Sequence, residues 1–138
     1  MRLDRSFRLL LYGVLVALFL TGIAWLGAGA LRDSPDGELW QAIAADLLMV
    51  HGGGAMVMLM LFGALFPLHV RHGWRRGKNR VLGSAMVAVN AALVITAFGL
   101  YYAGSDVMRP WISAVHLYAG LCLPALMLTH VLLGRYDS

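Results

Sequence analysis

Four long apolar runs, separated by short polar strips, set what this chain can fold into. They cover roughly residues 7–29, 42–70, 81–103 and 111–133. Each reaches the roughly 20 residues that a helix needs to cross about 30 Å of hydrocarbon. In lipid every backbone N–H and C=O must be satisfied internally, which at this spacing selects helices. The strips are short, so consecutive helices are expected to run antiparallel. The sequence therefore predicts an all-α fold: one integral-membrane domain over 1–138, a four-helix up-and-down bundle with short loops. Composition agrees. Of 138 residues 60% are hydrophobic and 13% charged, against about 25% charged in an ordinary soluble domain. The first run has a basic start, "MRLDRSFR", and a small-residue stretch, "GAGA". Its apolar core of about 20 residues exceeds the roughly 7–15 of a signal peptide, so it is read as a retained span.

Charge gives the orientation. Arg2, Arg5 and Arg8 precede the first run. The strip "RHGWRRGKNR" adds Arg71, Arg75, Arg76, Lys78 and Arg80 with no acid. The strip after the first run holds Asp33, Asp36 and Glu38 against Arg32, and that after the third holds Asp106 and Arg109. Basic residues stay inside, so both termini and the basic strip are expected to be cytoplasmic. The net charge of +4 is thus a topology signal and points to no nucleic-acid partner. Trp40, Trp74, Trp111, Tyr101, Tyr102 and Tyr136 fall near expected helix ends, as an interfacial aromatic belt does. Cys122 is the only cysteine. It excludes an internal disulfide and a CxxCH haem attachment.

Four of the five histidines fall within the expected spans, where ionisable groups are rare and mark function. His116 and His130 are 14 residues apart on the fourth helix. That is nearly four turns, so they share a face, with a rise of about 21 Å. His51 and His69 are 18 apart on the second helix, five turns and about 27 Å. With both helices running inward, the histidines form two level pairs, His51 with His116 and His69 with His130. Paired imidazoles across a bundle interior suit the axial positions of b-type haem. They are poor closed zinc sites, which want four ligands. Gly54 and Gly120 lie three and four residues beyond His51 and His116, and because they recur on the histidine faces they are read as leaving room for a macrocycle edge, in preference to ordinary close packing of helices. The two rises differ by about 6 Å. Pro67, two residues before His69, offers a kink that would level the inner pair. His72 fits less well in height and angle and is the backup for His69.

At these residues the chain resembles the membrane-embedded di-haem cytochromes b, which include the cytochrome b561-like carriers and the cytochrome b subunits of formate dehydrogenases and hydrogenases. The resemblance covers roughly the whole chain but rests on a spacing rule, His116-x13-His130. Two histidines on each of the second and fourth helices are similar to the haem core of the bc-complex cytochrome b. The chain departs from the group in the 18-residue spacing on the second helix and in having no histidine on the first. The resemblance implies two haem b groups, quinone or quinol as substrate, a redox partner protein or larger respiratory complex, and a bacterial cytoplasmic membrane. It implies an electron-transfer subunit of a quinone-linked oxidoreductase, with superoxide-to-quinone oxidation as a variant. Self-association is compatible with it. Arg71, His72, Trp74 and Arg75 border a quinone near the inner haem, or Asp46, Tyr101 and Trp111 near the outer one. The alternative is a haem-free transporter or assembly subunit with proton-relay or metal-binding histidines, Asn90 and Thr96 lining its path. Their plainer role is hydrogen bonding between helices.

Overall fold

The structure, a computed structural model, describes residues 4–71, 74 and 80–136, side chains excepted at 68 and 134–136. It is all-α, as the apolar runs require. Helix α1 spans Arg5–Ala30, α2 Gly37–Leu65, α3 Arg80–Tyr102 and α4 Met108–Tyr136. All four are long and apolar enough to cross a membrane. The boundaries lie within a few residues of the sequence expectation, and α1 and α4 start on side-chain caps inside the polar strips. Asp4 caps α1, its carboxylate accepting from the Ser6 N–H at 2.9 Å. That bond holds the exposed Asp4 carboxyl below the usual carboxylate range. Ser105 Oγ accepts from the Met108 N–H at 3.3 Å at the start of α4, a hydroxyl cap of the usual kind.

The chain divides into two compact units, Met1–His69 and Val70–Ser138. Each is a helical hairpin: α1 packs on α2 in the first, α3 on α4 in the second. Residue pairing shows that both hairpins are antiparallel. In the first, Thr21 meets His51 and Leu18 meets the position of Gly54, so the α2 number rises as the α1 number falls. The same register sets the buried Leu11 level with Leu61, and Ala28 level with Ala44. In the second, Thr96 meets His116, Leu93 meets Gly120 and Ile112 meets Gly99. Asn90, buried, falls level with the buried Leu123. It donates to the Met86 carbonyl of its own helix at 2.8 Å.

Few side chains are buried within the hairpins, and the exterior is apolar: Met60 and Trp111 are each 74% exposed, Ile95 70%. So large an apolar surface is out of place in water and is what a helix presents to lipid. In lipid, helix association depends on close packing instead of on the hydrophobic effect, and small residues permit it. A Cβ on Gly54 would stand 3.2 Å from Leu18 Cδ2, and one on Gly99 3.2 Å from Ile112 Cγ2.

Two prolines shape the longer helices. Beyond Leu65 the chain continues as a π-helix, Phe66–Val70, which contains Pro67 and His69. Proline has no N–H to give the carbonyl four residues back, here Gly63, and its ring crowds that carbonyl. An i→i+5 ladder opens the turn and accommodates the ring. Such a ladder advances less per residue than an α-helix, so the His51–His69 rise is shorter than about 27 Å. Pro124 lies inside α4, between His116 and His130. It removes the helical donor of the Gly120 carbonyl, and the 14-residue rise reckoned from sequence made no allowance for it.

The α1–α2 turn depends on one glycine. Gly37 donates to the Ser34 carbonyl at 2.9 Å, and a Cβ there would collide with the Arg32 carbonyl. Gly37→Ala is expected to destabilise the protein by about 1–3 kcal/mol, the usual cost of overpacking. Gly13→Ala, with nothing within 4 Å of the new atom, should leave stability unchanged or raise it. Chemical unfolding in detergent micelles, followed by helical ellipticity, checks both.

Candidate histidine sites in the two hairpins

His51 sits in mid-α2 and is half-buried against α1. Its Nδ1 lies 3.0 Å from Thr21 Oγ1. Thr21 reaches it because the antiparallel register sets the two residues at one level. The Thr21 hydroxyl is also 2.7 Å from the Ala17 carbonyl and 3.1 Å from that of Leu18. Beside the ring, Gly22 leaves space: a Cβ there would stand 3.4 Å from His51 Cε1 and 3.8 Å from Nδ1.

The second hairpin repeats this local design. His116, half-buried on α4, has its Nδ1 2.9 Å from Thr96 Oγ1 on α3. The Thr96 hydroxyl is 2.6 Å from the Ala92 carbonyl and 3.2 Å from that of Leu93. Each hairpin therefore carries a histidine on its second helix whose Nδ1 is held by a threonine of its first.

The other expected site residues differ in setting. His69 is exposed on the π-helical segment. His130 is half-buried near the end of α4. Its neighbour Thr129 is turned to its own helix, 2.8 Å from the Leu126 carbonyl and 3.1 Å from that of Ala125. His72, the backup for His69, and Arg75 lie outside the described residues. Gly54 is occupied by packing against Leu18, and Gly120 faces Leu93 Cδ2 at 3.9 Å. Within its hairpin, Gly54 thus stands in close contact with α1, and Gly120 at ordinary contact distance from α3. The glycine that makes room for an imidazole is Gly22. Asp46, Arg71, Trp74, Tyr101 and Trp111 are exposed, and the Arg80 guanidinium stands 5.9 Å over the Trp74 ring.

Sequence reasoning missed Thr21; for Thr96 the structure shows the plainer of the two roles, hydrogen bonding between helices, with His116 as the partner. A signal was present: folding the first apolar run back on the second about the polar strip 30–41 sets Thr21 within a turn of the level of His51. Among the described residues no group of three or more His, Cys, Asp and Glu side chains could hold a metal ion. Any metal held here would have to bring most of its own ligands. Compared with protein-family models, curated proteins and solved structures, the chain has no significant match.

The gap at Gly22 has a measurable consequence. Gly22→Ala adds one atom at ordinary contact distance from the ring and should be tolerated. Gly22→Val adds branches that must displace the imidazole, and its unfolding midpoint in detergent should fall, by about 1–3 kcal/mol in stability. Equal behaviour of the two variants would show that the ring is not held against α1.

Proposed function

We propose that this chain is a di-haem b-type membrane cytochrome, carrying electrons across the bilayer between the quinone pool and a redox partner protein. The observation that carries this reading is the repeated threonine–histidine contact: two imidazoles on membrane-spanning helices, each engaged through Nδ1 by a hydroxyl of the adjacent helix. A polar pair in hydrocarbon is costly, and one in each hairpin asks for a function. Histidines that ligate a metal characteristically give their other ring nitrogen to a fixed partner, which sets the ring's orientation.

The residues suit haem b. His51 and His116 would serve one group, and His69 and His130 the other, in the pairing assigned by the sequence register. Haem b supplies a one-electron iron couple when bound. The chain's own part is to present imidazole nitrogens, hold the rings still and exclude water. The gap at Gly22 gives the His51 ring a flat edge beside the helix backbone. In this reading the protein is an electron-transfer subunit of a quinone-linked oxidoreductase. The basic strip and both termini face the cytoplasm of a bacterial cell. Exposed Arg71 and Trp74 at the basic end, and Asp46, Tyr101 and Trp111 toward the acidic strips, are the side chains available to a quinone.

The purified protein is expected to show a reduced-minus-oxidised b-type spectrum with about two haems per chain. Alanine at His51, His69, His116 or His130 should each remove about one haem, and alanine at His72 should remove none. Loss at His72 with His69 tolerant would reassign the inner ligand. A colourless protein after expression with haem supplied would end the proposal.

A further inference from the structure

The two threonines do more than occupy the space beside the histidines. A hydroxyl has one proton and two lone pairs. Thr21 Oγ1 is 2.7 Å from the Ala17 carbonyl oxygen, and Thr96 Oγ1 2.6 Å from that of Ala92. Two oxygens that close are at hydrogen-bond distance, with a proton between them. A carbonyl has none to give, so the hydroxyl proton lies on that line. Were it turned toward the imidazole instead, two sets of oxygen lone pairs would face each other at contact distance. With the proton committed to the backbone, each hydroxyl meets the imidazole with a lone pair. Nδ1, 3.0 Å away in His51 and 2.9 Å in His116, must then carry the hydrogen and donate it. In a neutral imidazole, a proton on Nδ1 puts the ring's basic lone pair on Nε2.

We propose that Thr21 and Thr96 are positioning residues. Each relays the direction of a helix-backbone hydrogen bond to a histidine of the neighbouring helix, fixing His51 and His116 as the Nδ1–H tautomer with Nε2 as the ligating atom. The assignment of Nε2 as a ligand rests on the haem reading; the tautomer does not. The relay runs from the Ala17 carbonyl through Thr21 to His51, and from the Ala92 carbonyl through Thr96 to His116. Both legs end in a helix backbone, which has little freedom to move. A donated Nδ1–H also makes the ring a stronger donor at its other nitrogen, which favours the oxidised, more positive iron. The hydroxyls thus set a lower potential than the same imidazoles would give alone.

Threonine-to-valine changes remove the hydroxyl and keep the branched shape. Thr21→Val and Thr96→Val are each expected to shift the midpoint of one haem, the one served by His51 and His116, to a more positive value in a redox titration of the purified protein. Thr21→Ser and Thr96→Ser, which retain the hydroxyl, should restore the wild-type midpoint. Wild-type midpoints in both valine variants would overturn the positioning role. Nitrogen NMR of protein labelled in its histidines reads the tautomer separately, on the reduced protein or on a colourless one. Protonated Nδ1 at His51 and His116, becoming mixed in the valine variants, is expected. Protonated Nε2 in the wild type would overturn the inference even where haem is bound. A colourless wild type with protonated Nδ1 would overturn only the haem reading.

Discussion

An imidazole inside a membrane helix cannot draw on water to satisfy its ring nitrogens, so its partners decide where it points and which nitrogen is basic. At His51 and His116 one such partner is a threonine hydroxyl on the adjacent helix, itself bonded to the carbonyl four residues back. The side chain is short and branched and is held at both ends. It converts the rigidity of one helix into the orientation of a ring on another. The rest of each hairpin serves this contact. The antiparallel register brings the residues level, close packing at Gly54 and Gly99 keeps the helices near enough, and Gly22 leaves the ring its place beside α1.

That the arrangement occurs twice matters more than either instance. Thr21 with His51, and Thr96 with His116, share geometry to within 0.1 Å in the hydroxyl–imidazole contact, at 3.0 and 2.9 Å. Their surroundings differ. The first hairpin has the longer second helix ahead of its histidine and gives way to a π-helix at Pro67, whereas the second carries its proline inside α4. A hydroxyl clamp maintained in two unlike settings is hard to attribute to packing alone, since a valine would pack as well.

Much of the fold was legible because lipid imposes a length and a composition on every span. The four apolar runs mark the helices to within a few residues, and the polar strips mark the turns. The side-chain partners were less legible. The histidines stand out in an apolar run, but threonine is unremarkable there, and its role depends on how one helix registers against the next. Thr96 was legible as a hydrogen-bonding residue between helices but without its partner, and Thr21 passed without notice. Sequence spacing sets Gly54 and Gly120 on the histidine faces; that a Cβ there would meet Leu18 and Leu93 depends on the register between helices. Pro67 was seen as a kink and is accommodated as a π-helix, a choice that depends on backbone hydrogen bonding which no spacing rule contains. Pro124 escaped attention because the rise from His116 to His130 was reckoned as an unbroken helix.

In the proposed reading the membrane-spanning helices contribute imidazoles of fixed tautomer at set depths, and a bound cofactor supplies the electron chemistry. Electron paramagnetic resonance of the oxidised, purified protein tests that claim most directly, because it reports what ligates iron. The account predicts low-spin ferric signals of the bis-imidazole type, with one of them lost when His51 or His116 is replaced by alanine. A preparation with no low-spin iron, or with signals untouched by either replacement, would contradict it.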